Sequence, residues 1–385
     1  MKELYDFLYK NWKNGLDCTD AIDSIIEIKK LFKYQPKDRD IEKVEWYTYL
    51  FKKGGMSSEN IPYALDSLPY FPRPDIVVPD DIKERLKWVD DQPFHEQRTP
   101  EWFEFRHSCI TASFIPRVLG NDNEFNSALK EKITPPVERG GYGNAVKHGI
   151  KYEQVAQSIY EHINDLKISE YGCIRHPTIN FLGASPDGIV TKTKSNSVLL
   201  GRMLEIKCVY SRIINGIPKN EYWYQMQLQM EVCNLEFCDF LECFIEEITD
   251  EDLFKKKSLN VEYFGIVINV THCDASTEKK YLYSYDYDND LDKLLSAKES
   301  FVDDVIKISE MIHVGYYTLE SMSCVTIKRN RKWFEKSTPR LEQFWDKVSE
   351  FRNNEVLKTE FINNEKRKKK NMNKTTVHEK KWLGD

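Results

Sequence analysis

The chain has 385 residues, of which 41% are hydrophobic and 13% aromatic, with only 16 Gly and 15 Pro. This composition excludes a largely disordered, collagenous or low-complexity protein. The net charge of −6 argues against a uniformly basic nucleic-acid coat, although 56 Lys and Arg residues leave room for a local basic surface. No stretch reaches the roughly 20 apolar residues that span a bilayer, and the charged first segment does not resemble a signal peptide. We therefore expect a soluble, intracellular globular protein.

The cysteines predict a reducing compartment. There are 9 of them, an odd number spread along the chain. None forms the CxxC pair that zinc and iron–sulfur sites commonly use. We therefore expect reduced, buried thiols rather than a disulfide framework.

The two ends of the chain read as extensions of a central domain. Residues 1–95 are predicted to be helical, because apolar residues recur there at three- and four-residue spacing. Prolines between Pro62 and Pro79 mark either a linker or a strap across the next unit, and we place a boundary near residue 95. We expect a central core over 96–285 and a helical C-terminal region over 286–385. The Lys-rich tail of that region, with KRKKK at 366–370, could contact phosphates, serve as a targeting signal or extend into solvent.

Within the core, helix and strand patterns alternate. Thr99-Pro100-Glu101 has the N-cap, proline and acidic residue of a helix start. Further patterns predict helices at about 144–163 and 221–233, and strands at about 172–181, 182–192, 202–209, 236–246 and 261–271. This order predicts an α/β (α+β) domain with a mixed central sheet flanked by helices. Beyond Tyr281 the pattern predicts helices, including one from Trp333 to Phe351.

Two segments carry the chemistry: LGASPDGIV at 182–190 and LEIKC at 204–208. Glu205 and Lys207 share one face of a strand, and a preceding antiparallel strand would place Asp187 beside them. Carboxylates of Asp187 and Glu205, with the Ile206 carbonyl, suit Mg²⁺, which would activate water against a phosphoryl group while Lys207 stabilises charge. The pattern therefore predicts phosphodiester hydrolysis. An SPDG turn and an ExK pair also occur on ordinary exposed surfaces, so the pattern alone leaves a purely structural role open.

The order of Asp187 and then Glu205-Ile206-Lys207 resembles the PD-(D/E)xK nuclease core. Five segments between residues 97 and 285 resemble the lambda-type exonuclease and YqaJ-like viral recombinase family. Besides the two already named, they are EWFEFRHSCITAS at 101–113, KHGIKYEQVA at 147–156 and YWYQMQLQMEV at 222–232. The resemblance implies a restriction-endonuclease-like fold and a metal-dependent deoxyribonuclease. It implies a 5′-to-3′ exonuclease on double-stranded DNA ends, acting in viral DNA recombination or repair.

The same resemblance assigns roles to individual residues. It implies that phosphate of the DNA is bound by Arg106, Ser113 and Ser185. It implies a catalytic set of Asp187, Glu205, Lys207 and Gln225, and a metal-binding set of Asp187, Glu205, Ile206 and Glu153. Gln229 lies one helical turn beyond Gln225 on the same face and is a candidate neighbour, whereas Gln227 points elsewhere. Each helical assignment has a structural alternative: a buried structural Arg106, a surface pair for Glu153, and an exposed Gln face.

The resemblance also implies cofactors and partners. One or two Mg²⁺ ions, or Mn²⁺, would serve the reaction. Double-stranded DNA ends are the implied substrate, with a single-strand annealing protein as partner, a homo-oligomer as the assembly, no membrane, and the host cytoplasm as the place of action. The metal core does not encode end specificity, so an endonuclease or flap nuclease of the same fold stays open. A degenerate fold would instead make a non-catalytic DNA- or protein-binding adaptor.

Overall fold

The structure is a computed structural model that describes residues 77–95, 99–136, 143–194, 197–271 apart from 213, 215 and 217, 280–285, 290–306 and 311–367. Most of the predicted N-terminal extension and of the Lys-rich tail lies outside these ranges. The division of the chain into three domains therefore stays a prediction.

Ten α-helices, one short 3-10 helix (Ser197–Leu199) and ten strands lie in the described part of the chain. The helices are α1 (Ile82–Asp90), α2 (Pro100–His107), α3 (Ile115–Val118), α4 (Asp122–Ile133), α5 (Asn144–Asn164), α6 (Asn220–Cys233), α7 (Glu251–Ser258), α8 (Leu291–Ile306), α9 (Arg331–Asn353) and α10 (355–367). The strands are β1 (Ile110–Thr111), β2 (Leu166–Ser169), β3 (Ile174–Arg175), β4 (Leu182–Ala184), β5 (Gly188–Thr193), β6 (Met203–Cys208), β7 (Phe237–Ile248), β8 (Phe264–Thr271), β9 (Lys280–Tyr285) and β10 (Met311–Lys328).

The strands form two mixed sheets. The larger has seven strands in the order β2-β5-β6-β7-β10-β8-β9, and the smaller has the order β1-β4-β3. β6 runs parallel to β7, and β1 runs parallel to β4, while the other pairs are antiparallel. Helices flank these sheets, which confirms the predicted α/β class. The predicted helix starts at Thr99 and Asn144 are also confirmed, because Thr99 caps α2 and α5 begins at Asn144.

Two expectations from the sequence are wrong. The predicted strand 182–192 is two strands, β4 and β5, in different sheets, because the Ser185-Pro186-Asp187 turn interrupts it and proline cannot donate to a ladder. The prediction of helices alone beyond Tyr281 is also wrong. β10 occupies 18 residues of that region and lies between β7 and β8. Its aromatic and β-branched residues, such as Tyr316 and Tyr317, favour a strand that is covered on both faces.

The core holds α5 against the larger sheet. Val155, Ile159 and Tyr160 of α5 are buried in one apolar cluster with Leu204 of β6 and Leu241 of β7. Burying each such side chain contributes about 1.5–3 kcal/mol, so the packing fixes α5 over β6. Residues on the turn of α5 that begins at Glu153 are therefore held above the predicted motif on β6.

The thiols agree with the expectation from composition. The seven cysteines within the described ranges are all free, and six of them are buried. In the same part of the chain, no helix combines the length and the apolar character that crossing a membrane requires.

Candidate active site

Asp187 lies at the turn between the two sheets. Gly188 of β5 pairs with Leu204 of β6, so the antiparallel register brings Asp187 beside the LEIKC strand as predicted. The amide of Ile206 donates a hydrogen bond of 2.7 Å to Asp187 Oδ2. This main-chain contact fixes the carboxylate at the level of Glu205.

Glu205 is the centre of the site. Its side chain is fully buried on β6, and the Lys207 ammonium, which is 25% exposed, contacts Glu205 Oε1. Lys207 Nζ also donates a hydrogen bond of 3.1 Å to the carbonyl of Ile206. The predicted shared face of Glu205 and Lys207 is therefore present, and the ammonium contacts two of the oxygen atoms predicted to bind metal.

Two glutamines of α6 complete the surroundings of Glu205. Gln225 Nε2 and Gln229 Nε2 both donate to Glu205 Oε2, at 3.0 and 2.8 Å. Gln227 is directed away, as predicted, and bonds to the Lys328 carbonyl and the Asn330 amide. The alternative of an exposed Gln face is wrong, because Gln227 and Gln229 are almost fully buried.

The carboxylates repel one another across the site. Burial raises the pKa of Asp187 well above its ordinary value, and the charges of Glu205 and Glu153 raise it further. Burial opposes the charge of Lys207, but the attraction of Glu205 and Asp187 outweighs it and raises the pKa of that ammonium. Glu153 of α5 therefore acts on Asp187 and Lys207, and is more than a surface helix partner.

The donor chemistry of these residues suits a hard divalent cation. Asp187, Glu205, Glu153 and the Ile206 carbonyl offer the oxygen ligands that Mg²⁺ prefers, and a cation would relieve the repulsion that raises the pKa of Asp187. Throughout the ranges given above, however, no three His, Cys, Asp or Glu side chains are arranged to hold an ion as they lie. Lys207 contacts two of these oxygen atoms, Glu205 Oε1 and the Ile206 carbonyl.

A second cluster carries the predicted phosphate ligands. Arg106 Nη2 donates a hydrogen bond of 2.9 Å to Ser113 Oγ, and the guanidinium lies 4.4 Å from the ring centroid of Trp102. Burial raises the pKa of Cys173, while Arg106 and Ser185 beside the thiol act to lower it. Arg106 therefore contacts Ser113 and lies, with Ser185, beside the Cys173 thiol. Arg106 is half-buried, and its hydrogen bond to Ser113 lies in an exposed environment.

Gln229 connects the two clusters. Its Nε2 donates to the Ser185 carbonyl at 3.3 Å as well as to Glu205. In the sequence, the helical spacing indicates Gln229 only as a neighbour of Gln225. Two supporting residues were not predicted. The buried ammonium of Lys132 donates to the Arg106 carbonyl, and Arg352 donates to the carbonyls of His107 and Lys132. Neither has a local sequence signal, because both act across the fold.

The segment that carries both clusters matches a known protein family. Residues 101–236 match the family model of the YqaJ-like viral recombinase domain. This match confirms the resemblance of the segment to that family, which the motifs carried. The matched segment includes every residue of the two clusters that the sequence predicted.

Relatives and solved structures extend the comparison. An uncharacterised protein of Acanthamoeba polyphaga mimivirus is 31% identical over 308 residues, which are 70% of this chain and 55% of that protein. The chain thus spans about half the length of this curated relative. An alkaline exonuclease from Laribacter hongkongensis is 22% identical with a TM-score of 0.41, covering 68% of this chain and 97% of its own. A phage-related exonuclease from Haemophilus somnus is 14% identical with a TM-score of 0.36, covering 63% and 94%.

Proposed function

We propose that the protein is a metal-dependent deoxyribonuclease that digests double-stranded DNA from a 5′ end during viral recombination or repair. One observation carries the proposal. The buried Glu205 carboxylate is contacted by Lys207, Gln225 and Gln229 and lies beside Asp187, whose pKa is raised. Burying a carboxylate cluster beside an ammonium costs stability, and groups with strongly shifted pKa values cluster at functional sites. The family domain and the mimivirus relative support the viral context.

The cofactor belongs to this proposal. Asp187, Glu205, Glu153 and the Ile206 carbonyl would hold one or two Mg²⁺ or Mn²⁺ ions. Such an ion would be a Lewis acid that polarises the phosphoryl group and lowers the pKa of a coordinated water. The remaining chemistry comes from the side chains of the chain itself.

Those side chains divide the work between binding and charge stabilisation. Arg106 binds the terminal 5′ phosphate through the paired N–H groups of its guanidinium, and Ser113 and Ser185 contribute hydroxyl groups. Lys207 stabilises the negative charge that develops at the scissile phosphate, and Gln225 orients the reacting oxygen. Because the two clusters are joined through Gln229, an end held at Arg106 places a neighbouring phosphodiester near Glu205.

The partners follow from the substrate. Double-stranded DNA ends would be bound first, and a single-strand annealing protein would take the exposed strand. A homo-oligomer would keep the enzyme on its DNA, and the host cytoplasm is the proposed place of action.

Two rival functions remain with the same fold. An endonuclease or flap nuclease would use the Glu205 centre without requiring a terminal phosphate. A non-catalytic adaptor would bind DNA or protein through the same surface, but the presence together of Glu153, Asp187, Glu205 and Lys207 disfavours it.

The deciding experiment digests linear duplex DNA, labelled at either end and carrying or lacking a 5′ phosphate, beside a closed circle. Each substrate is tested with Mg²⁺ and with chelator. Metal-dependent loss from the 5′ end that spares the circle is expected. Cutting of the circle would support the endonuclease, and no cleavage with any divalent metal would support the adaptor.

A further inference from the structure

A cavity of about 490 Å³ opens beside the Glu205 centre. Its lining includes Glu153 and Lys207, so it is continuous with the candidate active site. It also includes Tyr210, Arg212, Lys219 and Tyr222, none of which the sequence motifs assigned. Its volume falls within the range of about 300–1,000 Å³ that is usual for small-ligand sites.

The phosphate cluster, the Glu205 centre and the cavity lie in this order along helix α6. Gln229 contacts Ser185 of the phosphate cluster, Gln225 contacts Glu205, and Tyr222, nearer the start of the helix, lines the cavity. At 1.5 Å per residue, Tyr222 and Gln229 are about 10 Å apart along the helix axis. Along helix α6, the Glu205 centre therefore lies between the phosphate cluster and the cavity.

The charges on the cavity wall suit an anion. Lys207, Arg212 and Lys219 line it, against the single carboxylate of Glu153. Behind the wall, the buried Glu242 forms an ion pair with Arg212 and fixes the position of its guanidinium. Lys219 also approaches the exposed Glu221 at 3.8 Å, which is a weak surface contact.

The aromatic rings suit a nucleotide rather than a simple anion. Tyr210 is 51% exposed, and His148 supports its ring at a centroid distance of 5.5 Å. The ring of Tyr222 lies 5.2 Å from Lys207 Nζ and 5.8 Å from Lys219 Nζ. A half-exposed ring held from one side, next to cations, is the arrangement on which nucleic-acid bases stack.

We infer that this cavity binds the nucleotide on the 3′ side of the scissile phosphate, with Arg212 and Lys219 on the next phosphate and Tyr210 against the base. The inference rests on the proposed function, because the order of the subsites assumes a 5′ phosphate at Arg106. The strand that remains after each cleavage is bound by Tyr210, Arg212 and Lys219.

The test compares two ligands in the presence of chelator, so that no cleavage takes place. Thymidine 5′-monophosphate reaches only the Arg106 side, whereas a 5′-phosphorylated tri-thymidylate also reaches the cavity. We expect the trinucleotide to bind more tightly, and Arg212→Met or Tyr210→Ala to weaken its binding about tenfold. Binding of the monophosphate should not change. Lys194→Met is the matched control, because Lys194 is exposed and paired with Asp165.

Kinetics with metal give an independent readout. Arg212→Met should raise KM on linear duplex DNA with little change in kcat. The reason is that the Arg212 side chain binds the retained strand and does not contact the scissile phosphate. Equal binding of the two ligands by the wild type, or unchanged trinucleotide binding in both variants, would overturn the inference. If the length dependence and the variant effects appear but no cleavage does, the subsite stands and the proposed nuclease activity fails.

Discussion

Gln229 and Glu205 are joined in the interior of the protein by a hydrogen bond of 2.8 Å from Nε2 to Oε2. Both side chains are fully buried. The same amide group reaches the Ser185 carbonyl, so one side chain fixes the Glu205 carboxylate relative to the turn that carries Asp187. The position of the acidic centre therefore depends on Gln229. The family resemblance implies a catalytic role for Gln225, which lies one helical turn before it.

Replacing this glutamine should reduce both stability and cleavage. In Gln229→Leu the buried carboxylate loses a donor, which should lower the free energy of unfolding by about 1–3 kcal/mol. We expect cleavage to fall at least tenfold, because Glu205 is no longer fixed. Urea unfolding and rates on labelled duplex DNA measure the two effects. The control is Gln154→Leu on the exposed face of α5, and wild-type behaviour of Gln229→Leu would contradict the assignment.

The raised pKa of Asp187 predicts a pH-dependent stability. The folded state binds more protons than the unfolded chain between the ordinary Asp pKa of about 4 and the raised value, so stability falls as the pH rises through that window. Asp187→Asn removes this loss and can still accept the Ile206 amide through Oδ1. With chelator, the variant should be more stable than the wild type at pH 7 and equal to it at pH 4. Parallel stability profiles of the two proteins would refute this cause.

A divalent metal should reverse that order. If it binds only the folded protein, Mg²⁺ or Mn²⁺ at 100 times Kd should stabilise the wild type by about 2.7 kcal/mol. Asp187→Asn should lose most of this gain, and Glu153→Gln should lose part of it. Thermal unfolding with and without metal measures the effect, with the exposed Glu104→Gln as control. An equal rise of Tm in all four proteins would indicate binding elsewhere.

Helix α9 should support the phosphate cluster. Arg352 donates to the carbonyls of His107 and Lys132 at 2.9 and 2.6 Å, and Lys132 in turn donates to the Arg106 carbonyl. Arg352→Met should lower the free energy of unfolding by about 2 kcal/mol, since two carbonyls lose a donor. It should also raise KM for DNA with a 5′ phosphate more than for DNA without one.

Stability and KM are compared with those of Lys332→Met, an exposed lysine on the same helix. A loss of stability without any change in the preference for a 5′ phosphate would assign Arg352 to folding alone.

Sequence patterns were sufficient where the signal is local. The Thr99 cap, the run of apolar residues on α5 and the alternation in LEIKC each depend on neighbours within a few residues, and the structure agrees with all three. β10 was missed for the opposite reason. Its residues form a strand because β7 and β8 cover both of its edges, and these strands come from distant parts of the chain.

The sequence by itself determined which chemical groups are present and on which face of a strand or helix they lie. Periodicity placed Glu205 with Lys207, and Gln225 with Gln229, because backbone geometry sets those spacings. Only the tertiary structure decided that Gln229 joins two clusters, that Arg352 reaches the helix of Arg106, and that Arg212 lines a cavity beside Lys207. Such contacts arise when helices pack on sheets, and no short stretch of sequence records the distance between side chains that the fold brings together.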